Sequence, residues 1–146
     1  MLQVYKRMQK MREKYVDTLA KLYEYATTVY SKKQYTQWYD TKKGGYTYAS
    51  LKERCDSLSK VLTQYGIGAG DKVAILSQSM PNWSVAFFSL APYGRIVIPI
   101  LPDSSTNEVT NIINHSETKA IFVSQKLAGK ISQEVKEKMV LIIDVD

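Results

Sequence analysis

Short apolar segments alternate with helical segments over the last two-thirds of this 146-residue chain, and this order constrains the fold more than any other feature. The apolar segments lie at residues 73–76, 96–98, 120–123 and 140–143. A continuous apolar run of this length is typical of a strand buried on both faces, and strands that alternate with helices form parallel sheets. With right-handed crossovers, the sequence predicts an α/β fold with an open, doubly wound, mainly parallel sheet and helices on both faces.

Capping signals place the helices between these strands. Pro81 suits the first position of a helix, and residues 82–93 are apolar nearly all round, which predicts burial between layers. Ser105 and Glu108 form a capping-box sequence before a predicted helix at about 106–114. A weaker helix is predicted near residues 132–138.

A further helix is predicted before the first parallel strand. Ser50 is a possible N-cap, and the apolar stripe that follows consists of Leu51, Cys55, Leu58, Val61, Leu62 and Tyr65. Gly66 is predicted to end this helix as a left-handed C-cap. The glycine-rich run at 66–70 precedes a strand, whereas a glycine loop that binds phosphate follows a strand and opens a helix, so no dinucleotide site is assigned to it.

The first 45 residues are predicted to form a separate N-terminal segment. Apolar residues recur at steps of three and four over about 4–30, as in one helix or in two helices broken near Asp17. Residues typical of strands at 34–39 and 46–48 flank turn residues at 40–45, which predicts a β-hairpin. We therefore expect an N-terminal helical segment and hairpin over 1–45 and a parallel α/β subdomain over 46–146.

The charge of the chain leaves its partners open. Lys and Arg number 20 against 14 Asp and Glu, which gives a formal net charge of +6 with the excess in the first 45 residues. Solvated helix faces account for this charge, and a basic amphipathic helix in peripheral contact with a membrane surface is the alternative. Basic residues interleaved with aromatics, as in single-strand binders, occur at Tyr30, Lys32, Lys33, Tyr35, Trp38, Tyr39, Lys42, Lys43 and Tyr46. Hairpin packing explains the same aromatics, so no nucleic-acid partner is expected.

Cysteine usage and hydropathy indicate the compartment. Cys55 is the only cysteine, so an intrachain disulfide is impossible and a reducing compartment is favoured. Charged residues interrupt the N-terminal segment where a signal peptide needs an apolar core, and no run approaches the ~20 apolar residues of a membrane span. The sequence therefore predicts a soluble, cytoplasmic protein.

Ligands on open parallel sheets bind at the carboxyl ends of the strands, so the loops at 77–80 and 101–106 are candidate sites. Their hydroxyl groups also suit ordinary helix capping, which is the favoured interpretation. His115 is the sole histidine and is interpreted as a residue at a helix C-terminus. Asp144 and Asp146 follow a strand, as magnesium ligands would, but no phosphate loop accompanies them. No catalytic, cofactor-binding or metal-binding residue is assigned.

Five motifs occur in an order that resembles a known family. They are Tyr46-Thr47-Tyr48 with Leu51, the turn at 66–71 leading into 72–75, Pro81-Asn82-Trp83, Pro99 with Pro102, and the segment 116–123. This order resembles the N-terminal part of the AMP-forming acyl-CoA synthetases, which belong to the adenylate-forming superfamily. Residues 22–39 are similar to the segment that precedes this block in the long-chain fatty acid ligases. The run at 91–95 departs from the small-residue run that the family usually has there.

The resemblance implies an enzyme that activates a fatty acid with Mg-ATP to an acyl-adenylate and transfers the acyl group to coenzyme A. The family's Ser/Thr/Gly-rich phosphate loop, its adenine and ribose motifs and its catalytic lysine would follow Asp146. We therefore expect an N-terminal fragment of a long-chain fatty acid-CoA ligase that is inactive alone and acts with the remainder of the ligase chain. The alternative is a stand-alone small α/β binding or interaction module that uses the basic, aromatic N-terminal surface.

Overall fold

Helices and strands alternate along the chain in the computed structural model, which describes residues 2–4, 6, 17–39 and 44–146. The helices are α1 (Leu19–Val29), α2 (Tyr48–Gln64), α3 (Pro81–Leu90), α4 (Thr106–Ser116) and α5 (Gln133–Lys138). The strands are β1 (Gln34–Thr36), β2 (Tyr46–Thr47), β3 (Lys72–Leu76), β4 (Ile96–Ile100), β5 (Ala120–Val123) and β6 (Leu141–Asp144). Short 3-10 turns lie at Ala91–Tyr93 and Gln125–Lys130.

The central sheet has four parallel strands in the order β4-β3-β5-β6. Val73 of β3 lies opposite Val97 of β4 on one side and Ala120 of β5 on the other. The chain therefore passes from β3 to one neighbour and then returns across β3 to the other. This topology confirms the predicted open, mainly parallel α/β sheet.

Alternate residues of the two central strands build two separate cores. Val73 and Ile75 face Leu62 of α2 and Leu90 of α3 in one buried cluster, which also contains Phe122. The second buried cluster lies on the opposite face, and its members are Ala74, Leu76, Ile100, Val109, Ile113, Ile121, Val123, Leu127, Ile131 and Val135. Because successive side chains of a strand point to opposite faces, the apolar runs at 73–76 and 120–123 require helices on both sides.

The two outer strands differ from the expectation that all four apolar runs are buried. Ile96 of β4 is 46% exposed and Ile142 of β6 is 40% exposed. Within the part of the chain that the structure describes, no strand pairs with the outer edge of either one. The expectation of burial was therefore wrong for these two runs, because an edge position leaves side chains open to solvent.

The N-cap of helix α2 lies three residues before the predicted one. Thr47 is the N-cap, since its Oγ1 accepts a hydrogen bond from the Ser50 amide at 3.2 Å while the Ser50 hydroxyl accepts one from the Thr47 amide at 3.0 Å. The prediction of Ser50 as the N-cap was therefore wrong. Ser50 is instead the third helical residue, which completes the capping box that begins at Thr47. Val61 and Tyr65 of the predicted stripe are exposed, and Ser59 is buried in their place. Gly66 has φ +75°, which confirms the left-handed C-cap.

The N-terminal elements pack against α2 and α3. Thr18 caps α1, whose Tyr23 ring stacks on Phe88 of α3 at 5.3 Å. Strands β1 and β2 pair antiparallel, which confirms the strands of the predicted hairpin, although both are shorter than predicted. The predicted turn at 40–43 and most of the predicted first helical segment, at 5 and 7–16, lie outside the described residues. The division of the chain at residue 45 stays a prediction.

Arg95 is buried where the chain departs from the family's small-residue run. Its side chain, 5% exposed, donates to the Ile67 carbonyl at 2.8 Å, to the Ser59 hydroxyl at 2.8 Å and to the Thr63 hydroxyl at 2.9 Å. Gly94 precedes it at φ +78°, a conformation that suits glycine and reverses the chain into β4. The guanidinium therefore joins the C-terminal end of α2, the turn before β3 and the start of β4.

Replacement of Arg95 by methionine is expected to lower the free energy of unfolding by about 2–4 kcal/mol, because the buried Ile67 carbonyl loses both hydrogen bonds from the guanidinium and the Ser59 and Thr63 hydroxyls lose theirs. Urea denaturation measures this loss. Arg95→Lys keeps the charge but has fewer donors, so its free energy of unfolding should lie between those of the unaltered chain and Arg95→Met. Arg54→Met on the exposed face of α2 is the matched control, with an expected loss below about 1 kcal/mol. An equal loss in the Arg95 and Arg54 variants would contradict the role given to this network.

Candidate functional site at the carboxyl edge of the sheet

The carboxyl ends of β3 and β5 form the topological switch point of the sheet. After β3 the chain enters α3, which packs on the same face as α2, whereas after β5 it enters the turn Gln125–Lys130 and then α5 on the other face. Two adjacent strands whose connections leave toward opposite faces open a crevice between them. In open α/β sheets this crevice is where ligands bind.

Three polar residues occupy the switch point. Ser77 and Ser124 follow β3 and β5 and are 3% and 0% exposed. The Ser124 hydroxyl donates to Gln78 Oε1 at 3.0 Å, and the Ser77 hydroxyl donates to the Gln78 carbonyl at 3.0 Å. The Ser124 amide continues the strand pairing by donating to the Leu76 carbonyl at 3.2 Å. These hydrogen bonds tie the ends of the two central strands together.

Two aspartates at the end of β6 extend this polar edge. The backbone amide of Gln125 donates to Asp146 Oδ2 at 2.7 Å, and its side-chain amide donates to Asp144 Oδ2 at 2.8 Å. The Asp146 amide donates to Asp144 Oδ1 at 2.9 Å. The backbone hydrogen bond from Asp146, followed by the one from the Gln125 side chain, lowers the pKa of Asp144. Both carboxylates considered as magnesium ligands therefore accept hydrogen bonds from the protein.

A second set of contacts joins the hairpin to the same edge. The Tyr46 hydroxyl donates to Asn82 Oδ1 at 2.5 Å, and Asn82 Nδ2 donates to the Val145 carbonyl at 2.5 Å. The Arg54 guanidinium lies 5.1 Å from the centroid of the Tyr46 ring. These residues line a cleft of about 210 Å³ that also includes Asp144. The cleft brings a cation, an amide and a carboxylate together beside the N-terminus of α3.

The two loops that the sequence selected as candidate sites, at 77–80 and 101–106, have different roles in the structure. Ser105 and Glu108 form the predicted capping box, in which Ser105 donates from its amide to the Glu108 carboxylate at 2.7 Å. Lys130 holds the same loop through the carbonyls of Pro102 and Ser104, at 2.6 and 2.8 Å. The polar groups of this loop are thus used in capping. The loop at 77–80 does reach the switch point, through Gln78.

His115 lies in the last turn of α4 and is exposed, as predicted for a residue at a helix C-terminus. It contributes no side chain to the cleft. Sequence reasoning missed Ser124 and Gln125, which occupy the position after β5 that Ser77 and Gln78 occupy after β3. A polar pair directly after each central apolar run is the signal that identifies them.

Two of the aromatic residues considered for nucleic-acid binding, Tyr30 and Tyr35, pack on the Tyr48 ring. The Tyr35 and Tyr48 rings lie 5.1 Å apart, and the Tyr30 ring lies 6.0 Å from Tyr48. Lys33 stands over Tyr30 at 5.0 Å from the ring centroid. Tyr39 is the fully exposed member of the set. The Tyr30 and Tyr35 rings are thus part of the packing between α1, the hairpin and α2.

The chemistry of the carboxyl edge is that of hydrogen bonding and alignment. Serine, glutamine and asparagine side chains provide neutral donors and acceptors, and the aspartates provide acceptors. Among residues 2–4, 6, 17–39 and 44–146, no three His, Cys, Asp or Glu side chains are grouped as metal ligands. In the same residues no helix is long and apolar enough to cross a bilayer. The edge can orient a bound group or a neighbouring segment.

The sheet order and its polar carboxyl edge define a doubly wound α/β protein of the kind that binds ligands at a switch point. The family model of the AMP-binding enzymes matches residues 24–146. The chain belongs to this family.

Curated relatives of this chain are ligases that act on acyl groups. It is 26% identical over 104 residues to 4-hydroxybutyrate–CoA ligase 2 of Metallosphaera sedula, a match that covers 69% of this chain and 19% of the relative. It is 28% identical over 95 residues to long chain acyl-CoA synthetase 2 of Arabidopsis thaliana, covering 63% of this chain and 14% of the relative. The chain thus spans a fifth or less of the length of these relatives.

Solved structures show the same fold. A fatty acyl CoA synthetase of Mycobacterium tuberculosis matches with a TM-score of 0.74 and 21% identity, over 87% of this chain and 26% of that one. The N-terminal domain of FACL13 from the same organism matches with a TM-score of 0.78 and 22% identity, over 88% of this chain and 34% of that one. Their sheets correspond to the sheet described above.

The contact of Tyr46 with Asn82 is expected to contribute a coupling energy of about 0.5–1.5 kcal/mol to stability. A double-mutant cycle with Tyr46→Phe and Asn82→Ala, measured by urea denaturation, tests this. Tyr65→Phe combined with Asn82→Ala is the control, because Tyr65 is exposed at the other end of α2. A coupling energy no larger than that of the control pair would show that the bridge contributes nothing.

The lowered pKa of Asp144 predicts a pH-dependent contribution to stability. Since its folded-state pKa lies below the unfolded one, its ionised form stabilises the fold above the unfolded pKa, and this contribution disappears as the pH falls through the folded pKa. Asp144→Asn should therefore be less stable than the unaltered chain at neutral pH but equally stable in strong acid. Denaturation midpoints at a series of pH values measure the difference.

Asn111→Ala, which removes an exposed amide from α4, is the control for the pH series. Its stability difference from the unaltered chain should stay constant across the series. A constant difference for Asp144→Asn as well would contradict the assigned role of the carboxylate.

Proposed function

We propose that this chain forms the N-terminal sheet of an ATP-dependent, AMP-forming acyl-CoA ligase. In the proposed reaction a fatty acid is converted with Mg-ATP to an acyl-adenylate, and the acyl group then passes to the thiol of coenzyme A. The observation that supports this most is the match of residues 24–146 to the AMP-binding enzyme family. The relatives named as long-chain and fatty acyl-CoA synthetases favour a long-chain substrate.

The carboxyl edge suggests what this part of the enzyme contributes. Gln78, Ser124 and Gln125 use their hydrogen bonds to fix the ends of β3, β5 and β6 relative to one another. Nucleophilic or general-base chemistry is not offered by these neutral side chains. The proposed role is therefore to hold in register the segments that carry the ATP-binding and catalytic residues of the ligase.

The exposed outer edges of β4 and β6 fit such a role. Ile96 and Ile142 expose apolar surface, and among the described residues no strand pairs with the outer edge of β4 or β6. Further elements of a ligase chain would bury this surface, at roughly 25 cal/mol for each Å² of apolar area. The stand-alone module is less favoured, since the match to the AMP-binding enzyme family covers residues 24–146.

A cytoplasmic location is part of the same proposal. Cys55 is a free, fully buried thiol, and burial raises its pKa to about 11. A neutral buried thiol of this kind needs no oxidising compartment.

Pyrophosphate exchange and acyl-CoA formation test the proposal. The purified 146-residue chain should exchange no labelled pyrophosphate into ATP with any fatty acid from short to long chain. The product of the same reading frame, expressed to its own stop codon, should form acyl-CoA from long-chain fatty acids. A known acyl-CoA synthetase serves as the assay control.

Two results would contradict the proposal. Exchange by the 146-residue chain alone would show that the catalytic groups lie within it. A stop codon directly after Asp146, in the coding sequence, would favour the small binding module instead.

A further inference from the structure

An apolar cavity of about 200 Å³ lies between α1, strand β1 of the hairpin, α2 and α3. Four aromatic rings line it, those of Tyr23, Tyr35, Tyr48 and Phe88, together with Ala26 of α1. It is distinct from the cleft at the carboxyl edge, since the two share no lining residue. The cavity is therefore a second candidate binding site.

The rings are arranged so that a guest would meet both faces and edges. Tyr23 stacks on Phe88 with an angle of 17° between the ring planes. Tyr35 stands at 69° to Tyr48 and at 78° to Phe88. Aromatic pairs prefer offset-stacked or edge-to-face contacts and gain energy beyond their buried area. An aromatic guest can make such contacts here, whereas an aliphatic guest of the same size gains only from burial.

Two of the lining hydroxyl groups donate to partners outside the cavity, whereas the buried Tyr23 hydroxyl has no hydrogen-bond partner among the described residues. The Thr27 hydroxyl donates to the Tyr23 carbonyl at 2.8 Å, within α1. The Tyr35 hydroxyl donates to Ser84 Oγ at 3.4 Å, on α3. Among the described residues, none that lines the cavity carries a charge at neutral pH. An ionised guest would thus lose its hydration without gaining a counter-charge.

We propose that this cavity binds a small neutral aromatic molecule about the size of a single ring. An apolar cavity of about 150 Å³ is large enough to hold benzene, and such cavities stay free of water. The site would lie between α1 and the body of the protein, so a guest that binds there also fastens α1 to α2 and α3. This inference is independent of the proposed ligase function, because it uses none of the residues at the carboxyl edge.

Binding of three probes to the unaltered chain tests the proposal. Benzene, cyclohexane and benzoate are titrated while the methyl resonances of Leu22 and Leu51, which line the cavity, are followed by NMR. Benzene should bind saturably, and cyclohexane should bind about threefold to tenfold more weakly because it lacks the aromatic contacts. Benzoate should not bind. Benzene should also slow amide hydrogen exchange in α1, since binding favours the docked helix.

Two alanines of α1 provide a matched pair of variants. Ala26→Leu places a larger side chain in the cavity and should weaken benzene binding at least about tenfold. Ala20→Leu makes the same change at an exposed position of the same helix and should leave binding unchanged.

Several results would overturn the proposal. Absence of saturable benzene binding to the unaltered chain would mean that the cavity is closed or already filled in solution. Equal affinity for cyclohexane or for benzoate would refute the aromatic or the neutral character of the guest. Equal weakening by the two alanine variants would place the site elsewhere.

Discussion

The pairing of β3 with β5 places apolar side chains on both faces of the sheet at once, and the rest of the structure follows from this constraint. Val73 and Ile75 pack toward α2 and α3, whereas Ala74 and Leu76 pack toward α4 and α5. Since a strand alternates its side chains between faces, neither face can be left to solvent. The chain must therefore change faces between two neighbouring strands, and this change creates the crevice at the carboxyl ends of β3 and β5.

The sequence predicted most of this fold because local and long-range signals agree. The apolar runs gave the strands, and Pro81 and the Ser105–Glu108 box gave the starts of α3 and α4. The order of strands across the sheet was not predictable from periodicity, so the exposure of Ile96 and Ile142 was missed. An apolar run identifies a strand that packs against other elements. It does not show whether those elements lie within these 146 residues.

The carboxyl-edge site was only partly predictable. The rule that ligands bind at the carboxyl ends of strands selected the loop at 77–80, but Ser124 becomes relevant only once β5 is known to lie beside β3. The hydrogen bonds from Tyr46 to Asn82 and from Asn82 to Val145 join residues that are far apart in the chain, and no local sequence pattern predicts them. The aromatic cavity has the same origin, because its rings come from α1, β1, α2 and α3. Sites formed by tertiary contact require the topology first.

Arg95 departs from the family pattern, and its own hydrogen bonds offset the cost of burying its charge. A buried guanidinium without a carboxylate partner is costly unless its donors are satisfied. Here its donors meet Ser59 and Thr63, in the last two turns of α2, and the Ile67 carbonyl just beyond the helix, at the end where the helix dipole favours a cation. The family's usual small residues would let helix and strand approach without such a group. In this chain the arginine instead ties the start of β4 to α2 and to the Ile67 carbonyl that follows this helix.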